Sequence, residues 1–561
     1  MGQASLPHAG HWRHVYWPAS TGATGLDLRG LGAGFGVWFT GHLPWAVSRE
    51  QYRAYYALRQ LNALYDAPDP GYILKLADLQ AGKAPVSVLP KIIQGGMGAG
   101  VSNWTLANAV SRLGQLGVVS GTALDVILSR RLQDGDPGGH MRRAIARFPF
   151  PEMAGRVLAR HFVEGGRPAG TPYRAIPMYA RTGSARELIE LCIVANFAEV
   201  FLAREGHDGP VGINYLEKIQ LPVLPSIYGA MLAGVAAVLM GAGIPIRVPG
   251  VLDHFALHEA AEYALSITGS IEGDDTLMRF SPSDWIEGTP PAMKRPLFLP
   301  IIASNTLALT LSRKANGRVD GFIIEGPTAG GHNAPPRGKP PLSAAGEPVY
   351  GERDVVDLAK MRDLGLPFWL AGGRGTAEGL RDALASGAAG IQVGTAFAYC
   401  AESGLDAATK ERVLNLAAAG GARVFTDPVA SPTGFPFKVV QLEGTLSDEA
   451  EYLARTRICD LGYLREPYRR DDGSTGYRCA SEPVAQYVAK GGGEDNAQGR
   501  KCLCNALMAD IGLPQTRAGG IGEKTLVTSG DDVADTARFL APGAASYSAA
   551  DVVARLLGAA S

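Results

Sequence analysis

The stretch FIIEGPTAGGHNAPPRG, beginning at Phe322, joins an apolar run to Glu325 and then to His332 across the Gly330-Gly331 bend. An imidazole delivered at the end of a buried strand can move protons near neutral pH. Glu325, the last residue of the run, reads as an acceptor that orients the histidine rather than as a base. Pro335-Pro336 then stiffens the chain into one wall of a pocket. Three other apolar runs end in bare backbone. KIIQGG continues into Gly95-Gly96-Met97-Gly98, PFWLAGG ends at Gly372-Gly373, and AGIQVGT ends at Gly394-Thr395. Glycines there let main-chain amides approach a flat ring or an anion, and Met97 adds a polarisable surface suited to an aromatic system. A fourth run, VGINY, delivers Asn214, which carries both a donor and an acceptor. Together these residues predict a site for a phosphorylated ring cofactor. The ring would lie over the first glycines and the phosphate over the last two rims, with the Thr395 hydroxyl as a further donor.

The elements that must position them follow a repeating pattern. The runs KIIQGG, GVVSG, VGINY, AAVLMG, PLFLPIIAS, GFIIEG, PFWLAGG and AGIQVGT alternate with helical stretches such as NWTLANAVSRLGQL, ARELIELCIVANFAEVFLA, ERDVVDLAKMRDLG and TAEGLRDALASG. Repeated strand–helix alternation means a parallel sheet, and continuous apolar strands mean a sheet covered on both faces. The fold class is therefore α/β, and eight such strands predict a closed (β/α)8 TIM barrel over residues 84–445, with insertions at about 123–210 and 245–296. Residues 1–83 read as an N-terminal flanking segment with a helix over SREQYRAYYALRQLNALYDA, and residues 446–561 as a C-terminal extension. Within the extension SDEAEYLARTRICDLGYL reads as helical, and AADVVARLLGAA as a final helix. DDTLMRFSPSDWIEGTPPAMKRP reads as irregular surface chain and YALSITGS as a short extra strand. DHFALHEAAEY would set His254 and His258 on one helical face. Tyr228 reads either as core or as facing the mouth.

Composition bounds the functional class. The chain has 561 residues, 46% of them hydrophobic and 19% charged, with 72 glycines and a net charge of −1. That balance fits a globular protein and gives no electrostatic footprint for nucleic acid or a membrane surface. No apolar run reaches spanning length, and the N-terminal stretch lacks the apolar core of a secretory leader, so the expected compartment is cytoplasmic. Four of the six cysteines, Cys459, Cys479, Cys502 and Cys504, share one turn-rich segment. Four thiolates could hold zinc or an iron–sulfur cluster, yet no C-x-x-C spacing occurs, and buried free thiols with no metal is the expected state.

The motifs QGGMG, GINY, VLMGAG, IIEGPTAGGH, LAGGRG and IQVGTAF, in this order between about Pro90 and Phe397, resemble the nitronate monooxygenase family. That family also includes FMN-dependent enoyl-ACP reductases. The resemblance implies non-covalent FMN. Gly95, Gly96, Met97 and Asn214 would line the flavin. Gly330, Gly331, Gly372, Gly373, Gly394 and Thr395 would hold its ribityl phosphate, and His332 would act as base or proton donor. The implied activity is oxidation of an alkyl nitronate or related small carbon acid with O2. The alternative is an enoyl-thioester reductase that uses NAD(P)H as reductant and an acyl carrier protein as partner. A third reading is a flavin-barrel scaffold whose C-terminal region docks a partner. A homodimer is compatible with each.

Overall fold

A computed structural model describes residues 89–338 and 340–558. The flanking segment 1–83 and its expected helix lie outside the described residues. Eight parallel strands form the central sheet: β1 Ile92–Gln94, β2 Gly117–Ser120, β3 Val211–Leu216, β4 Ala237–Gly241, β5 Leu297–Ile302, β6 Phe322–Glu325, β7 Phe368–Ala371 and β8 Gly390–Val393. Each falls on one of the eight apolar runs. Neighbours pair in the order β1-β8-β7-β6-β5-β4-β3-β2. The two ends then meet. Gln94 N donates to Leu116 O at 2.9 Å and Leu116 N to Ile92 O at 3.1 Å, so the sheet closes into a TIM barrel and leaves no free edge.

Alternation along each strand sorts its side chains. Ile93, Val118, Leu239, Leu299, Ile323 and Trp369 fill the lower interior, and the Trp369 indole donates to Pro90 O at 2.8 Å across the barrel floor. Their chain neighbours Ile92, Val119, Val238, Phe298, Phe322 and Phe368 point outward into the larger core under the helices. The next inward position of each strand forms the upper layer: Gly95, Ser120, Asn214, Gly241, Ile301, Glu325, Ala371 and Gln392. All eight face one cavity. The barrel is thus dry and packed below and polar above.

Helices follow the strands, several with side-chain caps. Asn103 Oδ1 accepts from Leu106 N to start Trp104–Arg112, and Ser304 and Thr376 cap Asn305–Lys314 and Ala377–Ala385 in the same way. Four helices, Leu124–Gln133, His140–Ile145, Pro151–His161 and Arg186–Arg204, occupy the stretch after β2. The 245–296 stretch carries a hairpin, Ala261–Ala264 with Leu277–Phe280, so part of the chain expected to be irregular is strand.

The extension is woven into the barrel. Its last helix, Ala549–Leu556, packs against Trp104–Arg112 and Ala377–Ala385 and takes the outer position that follows β8. Ala401 N donates to Tyr547 O at 2.8 Å, and Tyr547 Oη to Ala396 O at 2.7 Å. Of the stretch expected to be helical over 447–464, only Glu449–Ala454 is helix. The rest runs irregularly, because the Tyr463 hydroxyl is drawn onto the buried Asp125 carboxyl beside Tyr179. The expected histidine face does not form either. The helix ends at Ala256, and His258 sits at φ 57°, bonded to Pro291 O and to the hydroxyl of the buried core residue Tyr228.

Barrel closure has one especially tight point. A Cβ on Gly390 would lie 2.0 Å from Lys91 O, where β8 meets β1. Gly390→Ala is expected to cost about 1–3 kcal/mol or more by overpacking against backbone that cannot yield. A lowered midpoint in thermal or urea unfolding, beside a Gly155→Ala control that has open space inside a helix and is expected to keep or raise the midpoint, checks this.

Candidate active site

The cavity above the barrel has a volume of about 1680 Å³ with its mouth included. It gathers all eleven residues singled out in the sequence: Gly95, Gly96, Met97, Asn214, Gly330, Gly331, His332, Gly372, Gly373, Gly394 and Thr395. Local geometry explains several of the glycines. A Cβ on Gly96 would fall 2.3 Å from Asn214 Cβ, so the β1 rim can lie against β3 only without a side chain. Gly372 and Gly373 sit at φ 88° and 61°, which favours glycine. The β1 loop is braced from behind, since Ser102 Oγ donates to Gly95 O and accepts from Met97 N, both at 2.9 Å.

Two buried amide oxygens of the upper layer, Asn214 Oδ1 and Gln392 Oε1, have no hydrogen-bond partner among the described residues. Buried polar atoms rarely remain unpaired, and both side chains line the cavity, so they suit the polar edge of a heterocycle. The backbone amides of Gly373, Arg374 and Gly394 make no hydrogen bond among the described residues. The Arg374 guanidinium, also on the cavity wall, makes neither a hydrogen bond nor an ion pair there. These donors suit a phosphate. The residues therefore fit a phosphorylated flavin.

Arg374 and Gln392 were missed in the sequence. The signal for Gln392 was a polar residue inside an apolar strand at an inward position, and for Arg374 a lone cation within LAGGRGT. Thr395 lines the cavity, and its hydroxyl accepts from Gly530 N at 3.1 Å and faces the Asp532 carboxyl. The rim it shares with Gly330 is closed by residues 528–532, since a Cβ on Gly330 would lie 2.7 Å from Ser529 C. This strap, together with Leu503, Cys504 and Met508, gives the C-terminal chain one wall of the cavity, which no local motif announced.

His332 stands where the strap and a hairpin meet. It bridges to Phe437 of the hairpin Val424–Asp427 with Phe437–Val440, and its ring packs edge-on at 4.8 Å from that phenyl. Nε2 is 2.7 Å from Ser431 Oγ, and Nδ1 has no partner among the described residues. Burial, with Lys218 nearby, lowers the imidazole to about 4, so it is neutral at pH 7. Glu325 does not orient it. The carboxylate makes no hydrogen bond to His332, and Ser431 takes that role because the Gly-Gly bend carries the ring towards the hairpin.

A second chamber, about 1000 Å³ with its mouth included, shares Ala242, Ile301, Glu325 and His332 with the first. Ile244, Ile302, Leu307, Pro327, Pro335 and Phe435 give it an apolar side, and Asn333, Arg337, Tyr350 and Asp354 a polar one. The four clustered cysteines are all free thiols. Cys479 Sγ lies 3.2 Å from Ser481 Oγ, its thiol is held below the ordinary thiol range chiefly by the neighbouring Cys459, and Cys504 reaches the main cavity. No group of three or more His, Cys, Asp or Glu side chains is placed to hold one metal ion among the described residues. No described helix is long and apolar enough to cross a membrane.

A parallel barrel with a glycine-rimmed polar mouth and a strand-end histidine is the architecture of a cofactor-dependent enzyme. Residues 295–429 match the family model "Nitronate monooxygenase", a span that runs from β5 into the hairpin beside His332. The nitronate monooxygenase of Pseudomonas aeruginosa is 36% identical over 121 residues, 21% of this chain and 32% of that protein. The chain thus aligns with about a third of the length of this curated relative. Two solved structures share 15% and 16% identity: FabK from Thermotoga maritima covers 84% of this chain and 93% of its own at a TM-score of 0.43, and nitroalkane oxidase from Streptomyces ansochromogenes covers 85% and 99% at 0.40. These matches agree with the resemblance drawn from the motifs: the protein is a TIM barrel whose residues 295–429 match the nitronate monooxygenase model.

The histidine makes stability depend on acid. Below pH 6.5 an unfolded imidazole binds a proton that folded His332 refuses until about pH 4, so folding loses free energy as pH falls through that window. His161, also held at about 4 by burial, adds a parallel loss. Relative to His332→Asn, the wild type is expected to lose stability steadily from pH 6.5 to 4, which urea unfolding at several pH values would show.

Proposed function

We propose that the protein is an FMN-dependent oxidoreductase that oxidises an alkyl nitronate or a related small carbon acid with O2. The carrying observation is the convergence of bare rims from β1, β6, β7 and β8, with the unpaired Asn214 and Gln392 oxygens, on one cavity bordered by His332. Gly95, Gly96, Met97, Asn214 and Gln392 would face the flavin ring. Gly330, Gly331, Gly372, Gly373, Gly394 and Thr395 would border the ribityl phosphate, with Arg374 as its counter-charge. Bound FMN would supply electron transfer. The chain's own part is to orient the substrate and to handle protons. Nε2 of His332 is engaged with Ser431, so Nδ1 is the atom open to a proton.

A second reading is supported by the side chamber. The side of that chamber formed by Ile244, Ile302, Leu307, Pro327, Pro335 and Phe435, next to His332, suits the chain of an enoyl thioester. In that reading the protein is an enoyl-thioester reductase with NAD(P)H as reductant and an acyl carrier protein as partner.

Purified protein is expected to carry FMN, and ethyl nitronate is expected to be consumed with O2 in the absence of NADH and NADPH. Rapid anaerobic bleaching of the flavin by NADH or NADPH, followed by reoxidation with an enoyl thioester, would establish the second reading instead. His332→Ala should keep FMN and slow turnover by about 10²–10⁴-fold. Arg374→Ala should weaken FMN binding by about 10–100-fold, as expected for a lost charged hydrogen bond, measured by fluorescence titration of the apoprotein.

A further inference from the structure

We propose that Glu325 acts as a neutral carboxylic acid whose O–H hydrogen bonds to the oxyanion of a substrate held beside Glu325 and His332. The oxyanion is the oxygen of a nitronate, already charged when it binds, or of a thioester enolate, on which charge collects during reduction, so this rests on the flavoenzyme reading above in either form. No bond to hydrogen needs to break. The carboxyl lends a hydrogen bond that holds the bound nitronate, or that strengthens as charge collects on the enolate oxygen.

Position is the first ground. Glu325 ends β6 in the upper interior layer and borders both the main cavity and the side chamber. Its neighbour along the same loop, His332, borders both as well, so a small substrate between them would touch each.

The second ground is that Glu325 differs from the buried carboxyls elsewhere in the chain. Asp125 accepts from Tyr179 and Tyr463, Glu190 from Arg156 and Arg186, Glu523 from Arg455 and Arg517, and Asp510 from Leu526 N. Glu325 has no hydrogen-bond partner among the described residues and lines the cavity instead, where its carboxyl is free to meet a ligand.

Its surroundings supply no compensating charge. The titratable and charged groups around it are His332, Tyr350, Arg337, Asp354 and Lys218. Arg337 spends its guanidinium on the carbonyls of Arg353 and Ala303. Lys218 lies over the Phe435 ring at 5.1 Å. Tyr350 donates to Ala334 O, and Asp354 accepts from Arg337 N and Gly351 N. Burial alone then pushes the Glu325 carboxyl up to about 8. At pH 7 the junction holds a neutral imidazole and a neutral acid, and the acid is the one with a proton to offer. A carboxyl kept protonated so that it can donate has a known precedent in another enzyme fold.

The test uses FMN-loaded protein and two readouts. Nitrate, a planar oxyanion that cannot be oxidised further, serves as the binding probe by calorimetry. For wild type, nitrate affinity and kcat/KM with ethyl nitronate, or with an enoyl thioester if that is the substrate, should both fall by roughly tenfold per pH unit above about pH 8, as the carboxyl ionises. Glu325→Gln keeps an N–H donor and should abolish that alkaline fall in both readouts while retaining turnover at pH 7 within about tenfold. Below pH 8, Glu325→Leu should lose about 10²–10³-fold in kcat/KM, the usual size of the loss for a removed oxyanion donor. Nitrate binding that is independent of pH in wild type, or an alkaline limb that persists in Glu325→Gln, would overturn the proposal. If neither substrate class is turned over, the enzymatic reading fails, while the nitrate titrations still decide the role of Glu325.

Discussion

Closure of the sheet between β1 and β2 is the constraint on which the site depends. The hydrogen bonds between Gln94, Leu116 and Ile92 turn an open row of strands into a ring. In a ring, every strand's C-terminal end faces the same axis. Residues as distant in sequence as Gly95, Asn214, His332 and Thr395 can then border one space. The floor makes the mouth possible. Trp369 and its aliphatic neighbours pack the lower interior, so the polar layer above rests on an incompressible base.

The electrostatics of the mouth follow from its enclosure. Burial disfavours charge on either sign of group, which lowers His332 to about 4 and raises Glu325 to about 8. Arg374, a cation of the cavity wall that pairs with no carboxylate among the described residues, stands on the β7 rim instead, beside the bare amides of Gly373 and Gly394. The site is thus divided into an end suited to an anion and an end where the proton-bearing groups are neutral. That division matches a cofactor with a phosphate at one end and chemistry at the other.

The C-terminal chain completes the enclosure. Its final helix occupies the outer position after β8, and its strap at residues 528–532 closes over the rims of Gly330 and Thr395. Lys438, a buried residue of the hairpin strand Phe437–Val440, pairs with Asp531 at 2.6 Å and ties the strap to the element that holds His332. An ion pair with one buried partner is costly to break singly, so the strap and the histidine's support belong to one packed unit.

Much of this was legible in the sequence. Each strand was marked by an apolar run ended by glycine or a small polar residue, because a strand covered on both faces must be apolar throughout. The glycines were legible as well, since backbone that approaches a ligand or another strand tolerates no Cβ. Alternation within the strands also contained Gln392 and placed Glu325 inward, once the inward phase was fixed by Ile323 and Trp369. What tertiary structure alone decided were the partners: Ser431 rather than Glu325 beside His332, Gly530 and Asp532 at the Thr395 hydroxyl, and the strap over the mouth. Those contacts join residues about 100 to 200 positions apart. Local propensity and periodicity describe how a chain lies along itself, whereas such pairings are set by which surfaces meet when water is expelled from the closed barrel and its cover.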